Sequence, residues 1–248
     1  MKKSLIPLIL ILLVIISCQR SKSNPNEVMT ETYTFSDSIF LENDFGEAYS
    51  RYTMNIDLPV TDNDSLRQNI LYWMLGSENE DYQTYFKADM ERFFTEEGNE
   101  PNATFEGNYT LSEQTDLYVT YVSEGFVFTG GAHPQPWYYG VSFEKEDGSM
   151  LGYNMFDDPE QLIALVSENI KKQYFEPFNT EEEEYHFEPD DLFQLPTNQP
   201  WIETDSVVFC YGPFEIAPYA AGMPLCKIAI GDLKPFLSEK GKTLFNIE

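Results

Sequence analysis

The chain has 248 residues, 42 of them acidic against 15 basic, and a formal charge of −27. So acidic a chain excludes generic nucleic-acid binding, which needs Lys and Arg to displace counterions. Its 3 Trp, 16 Tyr, 19 Phe and 42% hydrophobic content exclude an acidic disordered chain and supply a sizeable core. With two His and three Cys there is little material for multi-metal or thiol-redox chemistry, and no cofactor or metal is expected.

Met1-Lys2-Lys3 is a basic start, and Leu5 to Ile16 is an almost unbroken apolar run. The run is shorter than the roughly 17–25 residues of a membrane-spanning helix and suits a signal-peptide core. It ends in Ser17-Cys18, which resembles a bacterial lipobox, so residues 1–17 are expected to be a cleaved leader and Cys18 the lipidation site. Several acyl chains on one residue anchor durably where one is marginal. Residues 18–27, polar with Ser and Pro, then form a tether to the membrane. This reading places the protein in the cell envelope, lipid-anchored and extracytoplasmic, on the periplasmic face or at the outer membrane.

Tyr52, Met54, Ile56, Leu58 and Val60 alternate with polar residues, the period of a half-buried strand. Leu66, Ile70, Trp73 and Met74 recur at helical spacing, with Asp64 or Ser65 as cap and Gly76 as stop. A second helix carries Tyr82, Tyr85, Phe86, Met90, Phe93 and Phe94 on one stripe and closes at Gly98. Strands are predicted at 105–111, 117–128 and 137–143, and Asp158-Pro159 opens a helix with Leu162, Val166, Ile170 and Tyr174 on its core face. After an acidic loop at 178–191, strands at 207–211 and 225–230 and a short helix at 233–238 complete the series. The order implies an α+β fold, mainly antiparallel sheets packed against a few helices.

Among chemistry-bearing residues, His133 follows Gly130-Gly131, a turn that lets backbone approach closely. Its ring is either a ligand contact or a group that locks the connection between two strands. Glu181 to Glu184, Glu188, Asp190 and Asp191 form either a solvated loop or a lure for a cationic partner; they lack the alternate spacing of a calcium loop. Pairing His133 with His186 gives too few ligands for zinc. Cys210 and Cys226, on neighbouring strands of an extracytoplasmic protein, are expected to form a disulfide, two buried free thiols being the alternative. Between them runs a proline-stiffened connection in which Glu215 and Tyr219 form a recognition surface, or Ile216 and Tyr219 plug the core. No nucleophile elbow, phosphate loop, dinucleotide fingerprint or metalloprotease helix occurs, and paired carboxylates cannot be picked out from 42 acids.

Three passages carry a resemblance: Thr129-Gly130-Gly131-Ala132-His133-Pro134, Asp158 at the helix start, and the run from Phe209 through Glu215-Ile216-Ala217-Pro218-Tyr219 to Gly222. Together they resemble the RsiV/PdaC-type domains of unknown function, found at the C-terminal end of lysozyme-sensing anti-sigma factors and beside peptidoglycan deacetylases. The resemblance runs from about Leu117 to Leu237, and the part from Glu31 to Leu111 resembles the N-terminal companion domain. It implies a companion domain at 28–112 and a C-terminal-type domain at 113–248. No deacetylase domain fits in the remaining length and no sigma-binding segment precedes the leader, so fold, compartment and a binding role are what it implies. The leading expectation is a non-catalytic, lipid-anchored binding module for a lysozyme-like cationic protein or a cell-wall ligand. The alternatives are a hydrolase of cell-wall glycans or peptides and a structural lipoprotein.

Overall fold

The computed structural model describes residues 27–77, 81–95, 100–178 and 193–247. Cys18 with its leader, most of the tether, Gly98, and the acidic run from Glu181 to Asp191 with His186 lie outside the described residues. The fold is α+β, with nine strands in two sheets among the described residues.

The larger sheet has six strands in sequence order: β1 (Met29–Asn43), β2 (Gly46–Val60), β3 (Thr104–Gln114), β4 (Tyr118–Phe128), β5 (Gln135–Glu144) and β6 (Met150–Leu151). All neighbours are antiparallel except β2 and β3. That parallel pair follows from the helices α1 (Asp64–Leu75) and α2 (Tyr82–Thr95), which carry the chain back across one face, as a parallel connection requires. The expected division at 112/113 falls within β3, in the middle of this continuous sheet.

The alternation read in β2 is the burial pattern of the strand. Tyr52, Met54, Ile56 and Leu58 are buried beneath α1 and α2, with Val119, Tyr121, Val141 and Phe143 from β4 and β5 in the same core. The cap of α1 is Asn63, not Asp64 or Ser65: its side-chain oxygen accepts from Leu66 N at 3.0 Å, a contact of about 1 kcal/mol. Asn63 wins because it alone has extended backbone there, and its amide also donates to Lys145 O at 2.7 Å. Gly76 closes the helix as expected.

The smaller sheet, β7 (Trp201–Glu203), β8 (Ser206–Cys210) and β9 (Leu225–Ala229), meets the opposite face of β4 and β5. The centre of the junction is polar and hydrogen-bonded. The Thr120 and Ser142 hydroxyls lie 2.7 Å apart, Thr120 donates to Ile202 O at 3.0 Å, and Ile202 N donates to Ser142 Oγ at 2.9 Å. A Cβ on Gly140 would lie 2.5 Å from Trp201 Cγ, so glycine is what lets the indole lie flat on β5. A second core lies on the other side of the small sheet. Its centre is Leu162, Val166 and Ile170 from the helical run that opens at Pro159 and becomes α3 (Ile163–Ile170), packed against Ile202, Val207, Phe209 and Ile228. Asp158 stands at the cap position, where its carboxylate accepts from the Gln161 amide at 3.0 Å instead of capping a backbone N–H. Past α3 the helical run continues through a wider turn to Phe175. Among the described residues no helix is long and apolar enough to cross a membrane.

Candidate functional site

The six-residue connection from β4 to β5 and the long connection from β8 to β9 meet at one end of the molecule, and His133 and Tyr219 meet with them. After Phe128 the chain turns on Gly130 and Gly131, at φ +110° and +88°, values that L side chains rarely adopt. The turn sets the exposed imidazole of His133 against the half-buried ring of Tyr219, centroids 3.7 Å apart and planes 18° from parallel. Tyr219 is pinned from its other end, its hydroxyl donating to the Pro134 carbonyl. The only hydrogen-bond contact of His133 among the described residues is Nδ1 to Pro134 O at 3.4 Å. The ring stacks on Tyr219 within the connection from β4 to β5 and forms part of an exposed aromatic surface.

Phe214 adds a third ring, 5.8 Å from Tyr219. It is 59% exposed and its backbone sits at φ +65°. A bulky L-residue in that region costs of order 1–3 kcal/mol, and such strain gathers at binding surfaces. Its sequence signal is faint: an aromatic between Pro213 and Glu215 announces neither exposure nor strain.

Glu215, singled out beside Tyr219, has a different place. One carboxylate oxygen accepts from Thr197 N at 2.7 Å and Thr197 Oγ1 at 2.9 Å, and the other from Gly212 N at 2.7 Å. The carboxylate thus ties the loop to the segment ahead of β7 and fixes the backbone from which Phe214 and Tyr219 project. The core plug of this loop is Ala217 with Ala221, and Ile216 packs against the same core. Tyr174 holds the far end by donating to Ala221 O.

The disulfide expected between Cys210 and Cys226 is not formed: both are buried free thiols. The β8–β9 register explains it. Cys226 pairs with Phe209, and Cys210 pairs with Leu225. The one-residue offset sends the two side chains to opposite faces. Cys226 joins the core under α3, while Cys210 packs with Trp201 and Val208. Burial pushes each thiol up to about 12, with the Glu215 charge adding to the effect at Cys210. Neither supplies a thiolate at neutral pH.

Among the described residues no group of three or more His, Cys, Asp or Glu side chains is placed to hold a metal ion. The surface can stack on a planar or cationic group; among the described residues it presents no nucleophile beside a base.

Residues 153–230 match the family model described as "Protein of unknown function (DUF3298)". The span takes in α3, the small sheet and the Glu215–Tyr219 loop, and leaves out the larger sheet with His133. Among solved structures, a member of the DUF3298 family from Bacteroides fragilis is similar at 16% identity, with 87% of this chain and 96% of that chain covered and a TM-score of 0.64. A DUF3298 family protein from Pseudomonas aeruginosa PAO1 is similar at 17% identity, with 88% and 98% covered and a TM-score of 0.57. At these identities the likeness is one of fold. No curated protein matches the chain.

Proposed function

We propose that the protein is a non-catalytic binding module, held in the cell envelope by lipid on Cys18, which recognises a cationic protein of the lysozyme kind through the surface of His133, Tyr219 and Phe214. The observation that carries this reading is the strained, exposed Phe214 beside the stacked His133–Tyr219 pair. Three rings on a bonded scaffold offer contact area at little entropic cost, as recognition surfaces require. The partner class rests on the −27 charge, which steers a basic protein toward the surface, and on the RsiV/PdaC-type resemblance. Glu215 is a positioning residue in this scheme. The stacking of the exposed His133 imidazole on Tyr219 supports binding over hydrolysis.

The test is a titration of lysozyme into the soluble chain beginning at Gln19, with equally basic control proteins and a salt series. Saturable binding that survives physiological salt and exceeds the controls is expected. Phe214→Gly relieves the backbone strain, so it is expected to weaken binding about tenfold, roughly 1.4 kcal/mol, while stability stays level or rises. Binding that vanishes with salt or equals the controls would reduce the effect to net charge and remove the proposed partner.

A further inference from the structure

A strand at the border of a sheet leaves half of its backbone groups unmet by the sheet, and another strand or a side chain can take them up. In the small sheet, β7 is three residues long, and β9 is closed by an amide. Gln173 Nε2 donates to Lys227 O at 2.9 Å, and Lys227 N donates to Gln173 Oε1 at 3.0 Å. In the larger sheet one border, β6, is two residues long. The other, β1, runs 15 residues from Met29 to Asn43 with β2 on one side and, among the described residues, no strand on the other. It carries no proline, no lysine and no bulge, the usual guards of an open edge.

Register says which groups face outward. Asn43 stands opposite Gly46 across the two-residue turn Asp44-Phe45, so this closing pair exchanges both of its bonds. Every second residue back along β1, the odd-numbered series, does the same with β2. The even-numbered residues from Thr30 to Glu42 therefore turn N–H and C=O away from the sheet, along an edge of roughly 40 Å. All of them are exposed. Ser38 bears out the direction, its N–H donating to Asp37 Oδ1 at 2.8 Å and not to β2.

The backbone specifies an extended polypeptide, because each outward residue offers one donor and one acceptor at the spacing of a strand. Charge specifies its kind. β1 carries Glu31, Asp37 and Glu42 and no basic residue, with Asp44 in the turn. β2 carries Glu47 and Asp57 against Arg51, and α2, packed on β1, balances Lys87 and Arg92 with Asp89 and Glu91. Each of these elements is negative or neutral, and a second copy would bring the same acidic strand and another charge of −27. We propose that the β1 edge takes up an extended, basic segment of another polypeptide as a seventh strand of the larger sheet, three strands away from the β4–β5 connection that holds His133.

The probe is a fluorescent heptapeptide of alternating valine and lysine, titrated with the soluble chain beginning at Gln19 and followed by anisotropy. Saturable binding with a Kd of about 100 μM or tighter is expected. Methylating every backbone nitrogen of the peptide, or replacing its lysines with glutamate, is expected to weaken binding about tenfold or more. Thr34→Pro removes an outward N–H that β2 does not use, at a place where an edge strand accepts proline. It is expected to weaken binding about tenfold while the melting temperature changes little. Hydrogen exchange on the unaltered chain gives a second reading, in which the amides of Thr32, Thr34 and Ser36 exchange fast and become protected when the peptide binds. Phe214→Gly is expected to leave the binding unchanged, which keeps this outcome separate from that of the lysozyme titration. Absence of saturable binding, equal binding of the methylated or the glutamate peptide, or protection that falls outside β1 overturns the proposal. So does a dimer of the free chain that Thr34→Pro dissolves, which would give the edge to a second copy.

Discussion

At Cys210 and Cys226 the outcome turned on a single residue of register. Two cysteines on adjacent strands, 16 positions apart, read as a bridge, yet Cys210 stands opposite Leu225 and not Cys226. Alternation then separates the thiols by the thickness of the sheet. Thiol titration with an aromatic disulfide reagent is expected to find almost no reaction in the native chain beginning at Gln19 and two thiols per chain in denaturant. A count of zero in denaturant would restore the bridge. The same scale separates Glu215 from its neighbours. Sequence placed Glu215, Tyr219 and His133 together as candidates, and only the fold shows that the carboxylate faces Thr197 and Gly212 while the two rings face each other. A contact between residues 133 and 219 leaves no local trace, so the stacked pair could not be read from either segment.

Among the elements, legibility followed the strength of the local period. The helix α1, the alternation in β2 and strands β4, β5, β8 and β9 were visible because their buried residues make an apolar stripe or an apolar run in the sequence. The long strand β1 went unread, although Tyr33, Phe35, Ile39 and Leu41 alternate with Thr and Ser, because its polar face holds small residues that suit a loop equally well. Strand β7 escaped for another reason: at three residues it is too short to show a period and owes its place to Thr120, Ser142 and Gly140. That dependence is testable. Gly140→Ala puts a methyl group into the Trp201 ring, and with Trp201 fully buried, a loss of about 2–3 kcal/mol in urea unfolding is expected. A loss below about 0.5 kcal/mol would mean that β7 does not bear on β5 in this way.

For the whole molecule, buried phenols set the alkaline limit. Tyr52, Tyr109 and Tyr121 are all held above their ordinary value of 10.0, burial being the largest cause in each and the Asp89 charge adding to it at Tyr52. Above pH 10 the unfolded chain gives up these protons while the native chain keeps them, so the native state binds more protons and stability falls as pH rises. Below pH 10 both states hold them and the contribution is complete. The buried thiols act in the same direction, from 9.0 upward. The melting temperature is therefore expected to hold level through pH 8–9 and to fall steeply beyond about pH 10. A level curve to pH 11 would contradict the burial of these side chains.

The amino end of the sheet is clasped by one side chain. Val28 N–H donates to Gln114 Oε1 at 2.9 Å, and Gln114 Nε2 donates back to Val28 O at 3.0 Å. From there β1 runs 15 residues against β2 without a break in register. A pull arriving at residue 28 along the strand must slide β1 past its neighbour, straining the rungs of the ladder simultaneously. The same pull directed across the strand would peel them one after another. Were the protein held by its amino end, as proposed above, the direction of load would decide whether the hairpin acts as a rope or as a zip.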